Sequence, residues 1–294
     1  GEWDDALISS GFITPFGHDL QQAATTVGFA FDDRRFYFLF ECVRGDREWK
    51  LWKSVRENDG YSFGDPSIEI WITPPTLVPE TYQNVINTYP AVLDQKMIPT
   101  RGYTAQGWRG DWDLGVTESD TRYTIEASIP VANFRDEATV KIGEAWRFLL
   151  CRTTPGTKPR AQASWSVTQG FSELNQHPQV RLLADTPVLQ VRNITSVLSG
   201  NYNIDVTVVG ADEATSEVEV VLRWHDKVAY IADDKIEKTS VTVEAGQAEQ
   251  FAFTGQVPEG KTGNLTITAT DAAGRELFRQ SWPYNVSKWT PAKP

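Results

Sequence analysis

The stretch YSFGDPSIEIWITPP, residues 61–75, decides the fold class of the chain. Its Gly-Asp-Pro segment has the composition of a turn, and its closing Pro-Pro pair is incompatible with a central strand. Between them, residues 67–72 alternate with a period of two, which predicts a β-strand whose isoleucines face the core. Glu69 and Trp71 then share the opposite face. A carboxylate beside a large aromatic ring there is either part of an ordinary solvated face or the floor of a binding site.

Similar short runs rich in Val, Ile, Thr, Phe and Tyr recur along the whole chain, separated by Gly, Pro, Asn and Asp. Helical spacing of apolar residues almost nowhere persists for ten residues, so the chain is predicted to be all-β. The runs before residue 186 fit a β-sandwich; they are TTVGFAFD, FYFLFECV, SIEIWI, YQNVINTY, WDLGVTES, YTIEASIP, WRFLLCRT, QASWSV and QVRLLA.

The chain is predicted to contain two sandwich domains in tandem. Aromatic residues become scarce after the segment 184–187, ADTP, which is the predicted linker. Domain one is predicted to cover residues 1–186 and domain two residues 187–294. Seven short strand-like runs in the second domain, with turns such as Asp-Ala-Ala-Gly, are typical of an immunoglobulin-like or fibronectin-like sandwich.

The net charge and the apolar runs exclude some classes of partner, and the two cysteines bear on the core. The net charge of −11 predicts that nucleic acid and anionic membrane surfaces are repelled, because binding to phosphate depends on Lys and Arg. The longest apolar run, residues 36–40, is too short for membrane insertion. Cys42 and Cys151 each end a strand-like run and are predicted to be buried free thiols, with a disulfide left open because spacing alone does not test it.

Seven motifs occur in a fixed order across residues 1–186. They are WDDALISSGF, TTVGFAFDDRRFYFLFECVRGD, DPSIEIWITP, YQNVINTY, YTIEASIPVANF, RFLLCRTTPG and SWSVTQGFSELNQHPQVRLL. In this order they resemble the family 9 carbohydrate-binding modules and the wider group of DOMON-like β-sandwiches. The resemblance implies a β-sandwich that binds sugar without catalysis, although a shared fold does not by itself deliver a shared activity.

The resemblance also implies a set of ligand-binding residues. In the family, two aromatic rings clasp a sugar while a glutamate, an asparagine and a basic residue hold its hydroxyls. Position by position, Glu69 is similar to the family's glutamate and Asn87 to its asparagine. Trp165 is similar to one of the two clamping aromatic residues. The other clamp position, six residues before the glutamate, is Phe63, with Tyr61 as a nearby substitute.

Two further aromatic residues join this predicted site, and two positions depart from the family pattern. Trp71 lies beside the glutamate, and Trp108 in a Gly-rich loop is predicted to extend the site. The first clamp is Phe instead of Trp, and Val85 occupies the position of the basic residue, so weaker, altered or absent binding is expected. Glu126 recurs in the family pattern, with a structural role and a ligand role equally open. Trp112 is expected to begin a strand and pack.

No cofactor is assigned from the sequence. The resemblance makes calcium a candidate structural ion, and the acidic pairs Asp4-Asp5, Asp32-Asp33 and Asp111/Asp113 offer oxygen ligands, although each fits a turn better. No ligand set for a metal is predicted.

Three rival functions remain to be weighed. An enzyme is disfavoured because no Gly-x-Ser-x-Gly elbow, metal-binding spacing or pairing of carboxylates is recognisable. A haem-binding electron carrier of the DOMON type would need Met97, in the loop DQKMIPT, and His177, in a turn before proline. A structural or interaction module with no small ligand is the third alternative, and the second domain already fits that description.

The sequence therefore predicts a non-catalytic carbohydrate-binding domain followed by a spacer or assembly domain. Its expected ligand is a poly- or oligosaccharide, and its expected location is extracellular, periplasmic or at the cell surface. Other domains of a larger extracellular protein are the expected partners. Neither the glycan nor the mode of binding, at a chain end or internally, follows from the sequence.

Overall fold

The computed structural model describes residues 3–15, 24–44, 55–76, 80–98, 103–105, 107–154, 161–195, 201–226, 235–256 and 262–285. The chain forms two compact units that divide between residues 184 and 185. Apart from three short 3-10 turns, every regular element in these ranges is a β-strand, which confirms the all-β class. The same ranges contain no helix with the length and hydrophobicity that a bilayer crossing requires.

The first unit contains twelve described strands. They are β1 (Leu7–Ser10), β2 (Thr25–Phe31), β3 (Arg35–Val43), β4 (Ser67–Thr73), β5 (Thr81–Asn87), β6 (Val92–Ile98), β7 (Tyr103–Ala105), β8 (Asp113–Glu118), β9 (Arg122–Pro130), β10 (Ala145–Thr154), β11 (Ala161–Ser164) and β12 (Gln179–Arg181). Strands β1-β2-β3-β9-β8 form one antiparallel sheet, here called sheet I. Strands β11-β10-β4-β5-β6-β7 form the other, sheet II, and β12 pairs with β10.

The two sheets share an aromatic core. Phe148 on β10 of sheet II lies 4.9 Å from the ring of Phe29, 5.3 Å from Phe36 and 5.9 Å from Phe38, all on sheet I. Alternate residues of β3 and β9 point into the same core, as the period of two in their sequences predicts. The first unit is therefore a sandwich of two sheets closed around aromatic side chains.

Strand β4 is central in sheet II, between β10 and β5, and is buried on both faces. The isoleucines face the inter-sheet core as predicted. The prediction that the opposite face is open is wrong, because Glu69 and Trp71 on that face are buried. The chain that follows β11 covers part of this face, where the His177 ring lies 5.6 Å from the Trp71 ring.

Several strands differ from the sequence prediction. The predicted run QASWSV ends as a strand at Ser164, so Trp165 lies outside it. Strands β1, β6 and β7 were not among the predicted runs. Met97, expected in an irregular loop, lies in β6, whose Asp, Gln and Lys side chains obscure any apolar alternation.

The second unit contains the seven strands that its sequence predicts. They are β13 (Val188–Ile194), β14 (Asn201–Val209), β15 (Ser216–Asp226), β16 (Lys235–Val243), β17 (Ala248–Gln256), β18 (Thr262–Asp271) and β19 (Glu276–Asn285). Strands β13-β14-β17 pair with one another, and β16-β15-β18-β19 form a second sheet. Alternate residues such as Ile204, Val220, Ile267 and Trp282 are fully or almost fully buried between them.

Cys42 and Cys151 are buried free thiols, as predicted. Burial raises the pKa of both, and the neighbouring Glu69 carboxylate raises that of Cys151 further. Neither thiol is exposed to oxidants in the folded state, and both act as small apolar groups in their sheets.

Replacing Phe148 by Ala should lower the free energy of unfolding of the first unit by about 3–5 kcal/mol, because removing a ring that packs against four other aromatic rings leaves a cavity. Urea unfolding followed by Trp emission measures this, since eight of the 11 tryptophans precede residue 186. Ile142→Ala, at a side chain that is 58% exposed, is the control and should change stability by less than about 0.5 kcal/mol. Equal effects of the two substitutions would contradict the described core.

Candidate functional site

The predicted sugar-binding glutamate forms a buried polar cluster. Glu69 is 1% exposed, and its Oε2 accepts hydrogen bonds from Trp71 Nε1 at 3.2 Å and Gln83 Nε2 at 2.9 Å. Gln95 Nε2 donates in turn to Gln83 Oε1, so the chain of amides reaches the half-buried strand β6. Burying a carboxylate is costly unless it is hydrogen-bonded, and these donors offset that cost. The described geometry makes Glu69 a structural acceptor.

Asn87, the predicted asparagine of the site, has its hydrogen-bonding capacity filled by the protein. Its Nδ2 donates to Val55 O at 2.7 Å and Asp65 Oδ2 at 3.0 Å. Its Oδ1 accepts from the backbone N–H groups of Tyr89 and Ala91, both at 3.0 Å. Two donors and two acceptors exhaust a side-chain amide. Asn87 therefore fixes a turn and has no group left for a sugar hydroxyl.

The predicted aromatic clamps are not equally accessible. Trp165 is only 9% exposed, belongs to the core cluster, and donates from Nε1 to Phe148 O at 3.2 Å. Phe63 is half-buried, and its ring lies 5.2 Å from that of Tyr61, which is 72% exposed. The expectation that Trp165 and Glu69 stand on an open face is wrong. A ligand role for Trp165, Phe63 and Tyr61 stays a prediction.

Trp108 does not join these residues. Its ring packs 4.6 Å from Tyr82 and 5.9 Å from Phe134, and its Nε1 donates to Asn133 O at 3.3 Å. The prediction that it extends the site conflicts with this packing, because Tyr82 belongs to the core cluster. Trp112 precedes β8 and packs 6.4 Å from Phe38, as predicted.

The two residues of the haem alternative lie on different elements of the first unit. Met97 is partly buried in β6, and His177 is buried after the third 3-10 turn. His177 Nε2 donates to Phe171 O at 2.8 Å, so the ring is held as a neutral tautomer with Nδ1 unprotonated. Burial lowers the pKa of His177 to about 4. The haem alternative stays a prediction.

Lowering the pH should destabilise the first unit through His177. Above pH 6.5 the ring is neutral in the folded and unfolded chains alike; between pH 6.5 and 4 only the unfolded chain gains a proton. The stability lost over that window should approach about 3 kcal/mol. Urea unfolding at pH 7.5 and pH 4 measures it, with His177→Gln as the comparison. The variant should lose about 3 kcal/mol less than the parent, and an equal loss would contradict the assignment.

An open groove of about 530 Å³ lies on the outer face of sheet I in the first unit. It crosses strands β2, β3, β9 and β8, and three strand spacings correspond to about 14 Å. The groove is lined by Trp3, Asp5, Ala30, Phe31, Tyr37, Asp113, Leu114, Gly115, Glu126, Ala127 and Ser128.

Trp3 is the aromatic platform of this groove. Its Nε1 donates to Glu126 Oε1 at 2.9 Å, a contact across 123 residues of sequence. Its ring lies over Gly28, where a Cβ atom would come within 3.0 Å of Trp3 Cε3 and 3.1 Å of Leu39 Cβ. The glycine in β2 thus makes room for the indole, and the glutamate in β9 fixes its orientation.

Tyr37, another aromatic residue of the groove, belongs to a wall of hydrogen-bonded polar side chains. Tyr37 donates from its hydroxyl to Asp32 Oδ2 at 2.7 Å, and this hydrogen bond raises the pKa of the phenol. Asp32 Oδ1 accepts from the backbone N–H groups of Arg34 and Arg35, both at 2.7 Å, so Asp32 caps the turn of the β2–β3 hairpin. The Tyr37 ring is therefore held from its far end.

Arg35 completes the wall. Its Nη2 donates to Asp113 Oδ2 at 2.6 Å and to Ser128 Oγ at 2.9 Å. Tyr37, Ser128 and Asp113 are also cross-strand partners in β3, β9 and β8, which aligns them on one face. Gly115 is the next residue of β8 on the outer face, and it carries no side chain. A Cβ atom on Gly115 would lie 3.8 Å from Glu126 Oε2.

In the described residues, no group of three or more His, Cys, Asp and Glu is placed to hold a metal ion. Calcium therefore stays a prediction of the resemblance, with no ligand set.

Comparisons with known proteins give distant similarities only. A provisionally assigned carbohydrate-binding protein from Bacteroides uniformis is 11% identical over 60% of this chain and 86% of its own, with a TM-score of 0.46. A family 9 carbohydrate-binding module from Caldicellulosiruptor kristjanssonii, solved with glucose, is 12% identical over 62% of this chain and 86% of its own, with a TM-score of 0.38.

A β-glucuronidase from Bacteroides uniformis is 9% identical over 87% of this chain and 26% of its own, with a TM-score of 0.27. No protein-family model and no curated protein matches the chain. Similarities of this size carry no activity over to the chain, so the function has to be argued from the groove itself.

Proposed function

We propose that the first unit binds carbohydrate without catalysis, in the groove on the outer face of sheet I. The observation that carries the proposal is the Trp3 indole, fixed between Gly28 and Glu126 at the side of an open groove. The C–H face of a pyranose packs on a flat aromatic ring, and its hydroxyls reach polar groups at the edge. A rigid indole beside a carboxylate offers both kinds of contact.

The groove residues have chemistry suited to this ligand. Aromatic contacts contribute about 0.5–1.5 kcal/mol beyond the area they bury. Glu126 is exposed, unlike Glu69, and a carboxylate that accepts sugar hydroxyls makes charge-assisted hydrogen bonds. The site is built on strands, which position side chains more accurately than loops do. Its open form over four strands suits an internal stretch of a glycan chain better than a single enclosed ring.

The wider setting is part of the same proposal. The second unit is an immunoglobulin-like spacer or assembly module, which its three- and four-stranded sheets support. The protein acts outside the cytoplasm, as part of a larger secreted or surface protein that works on glycans. Carbohydrate is its ligand, with neither nucleic acid nor membrane insertion involved.

Substitution of Trp3 tests the site. A glycan array followed by titration identifies a ligand, and Trp3→Ala should then weaken its binding by about tenfold or more, since about 1.4 kcal/mol corresponds to a factor of ten. Gly115→Leu should also abolish binding, because its side chain fills the groove at a position where φ is not positive. Unfolding midpoints of both variants show whether the fold is retained.

Tyr61→Ala serves as a matched control, because Tyr61 is an exposed aromatic residue that does not line the groove. Its binding should equal that of the parent. If Tyr61→Ala or Glu69→Gln loses binding while Trp3→Ala keeps it, the ligand lies on sheet II as the family resemblance implies. Absence of binding to all plant, algal and animal glycans on the array would favour the structural-module alternative.

A further inference from the structure

The charged residues in the described lining of the groove are all acidic. Asp5, Asp113 and Glu126 line it, and none of the lining residues that the structure describes is Lys, Arg or His. A fourth carboxylate, Asp32, lies behind the Tyr37 hydroxyl. A low-dielectric wall with charges of one sign focuses the field into the cleft between them. An anionic group entering the groove would therefore meet several carboxylates at once.

The arginines nearest the groove offset this field only in part, because Arg35 pairs with Asp113 while Asp5 and Glu126 keep their charges. Arg35 pairs with one of the groove carboxylates: its Nη2 donates to Asp113 at 2.6 Å and to Ser128 at 2.9 Å, and its Nε donates to Ser128 at 3.2 Å, so these two nitrogens are used inside the wall. Arg34 is exposed on the adjoining hairpin turn, and its Nε lies 3.8 Å from Asp33. Sugar carboxylates and sulfates are bound most strongly by a guanidinium or an ammonium group. Neither group belongs to a described lining residue of the groove.

From this arrangement we infer that the groove discriminates among glycans by charge, accepting neutral and amine-bearing sugars and rejecting uronates and sulfated sugars. The inference rests on the proposed function and names its substrate class. Neutral hydroxyls satisfy the carboxylates as acceptors, and a protonated amine would add attraction. The carboxylate of a uronate meets groove carboxylates that can only accept hydrogen bonds, and so it loses hydrogen bonds and electrostatic energy that a neutral hydroxyl keeps.

Glycans of one backbone that differ only in charge test the inference. The probes are cellohexaose and mannohexaose, the same hexamers with C6 oxidised to uronate, and the glucosamine hexamer, titrated against the full chain. At low ionic strength the neutral and amine-bearing probes should bind at least about tenfold more tightly than their uronate forms. Raising the salt concentration to 1 M should narrow that ratio, because the Debye length falls to about 3 Å.

Two variants separate the groove from the overall negative charge. Asp5→Asn and Glu126→Gln each remove one charge from the groove, and Glu126→Gln keeps an oxygen that accepts the Trp3 N–H. Each should narrow the ratio of neutral to uronate affinity. Asp136→Asn removes one exposed charge outside the lining and should leave the ratio unchanged.

The outcomes are distinguishable. If uronates bind as tightly as the neutral probes and Trp3→Ala weakens both, the charge inference falls while carbohydrate binding in the groove stands. If Asp136→Asn narrows the ratio as much as the groove variants do, net charge is responsible and the inference also falls. If no probe of any charge binds, the proposed function and the inference fall together.

Discussion

Burial of strand β4 on both of its faces determines which surface of the first unit is open to a ligand. Its isoleucines fill the inter-sheet core, and on the other side Glu69 is enclosed with Trp71 and Gln83. A buried carboxylate with these donors stabilises the local structure only while they stay in place, since removing a donor leaves an uncompensated charge. Sheet II is thus committed to structure around Glu69. Sheet I, whose outer face carries the groove, remains available for recognition.

The sequence predicts the strands well because alternation is a local property. The period of two in residues 67–72 and in β9 assigns each side chain to one of two faces. It does not reveal what lies over each face, because that is decided by segments far away in sequence. Glu69 is enclosed on a face that His177 helps to cover from more than 100 residues further on. For the same reason, the sequence does not reveal that Trp165, which the resemblance makes an aromatic clamp, lies in the core.

The groove could be predicted only in part for the same reason. Trp3 is the first residue of the motif WDDALISSGF, and the sequence leaves the role of Glu126 open between structure and ligand binding. Their contact joins the first described residues to β9 across the intervening strands β2 and β3, and no spacing rule encodes it. One signal was present: the glycine in TTVGFAF interrupts a strand of large residues, and glycine inside a strand often marks the close approach of another group. That group is the indole of Trp3.

The groove depends on Gly115, a residue that the sandwich fold does not itself require. The space above β8 exists because one residue lacks a side chain, and no backbone strain requires glycine at that position. A single substitution there can close the cleft while every strand and the aromatic core stay intact. Recognition can therefore be gained or lost in evolution independently of folding, and two proteins with the same sandwich can differ in whether they bind anything at all.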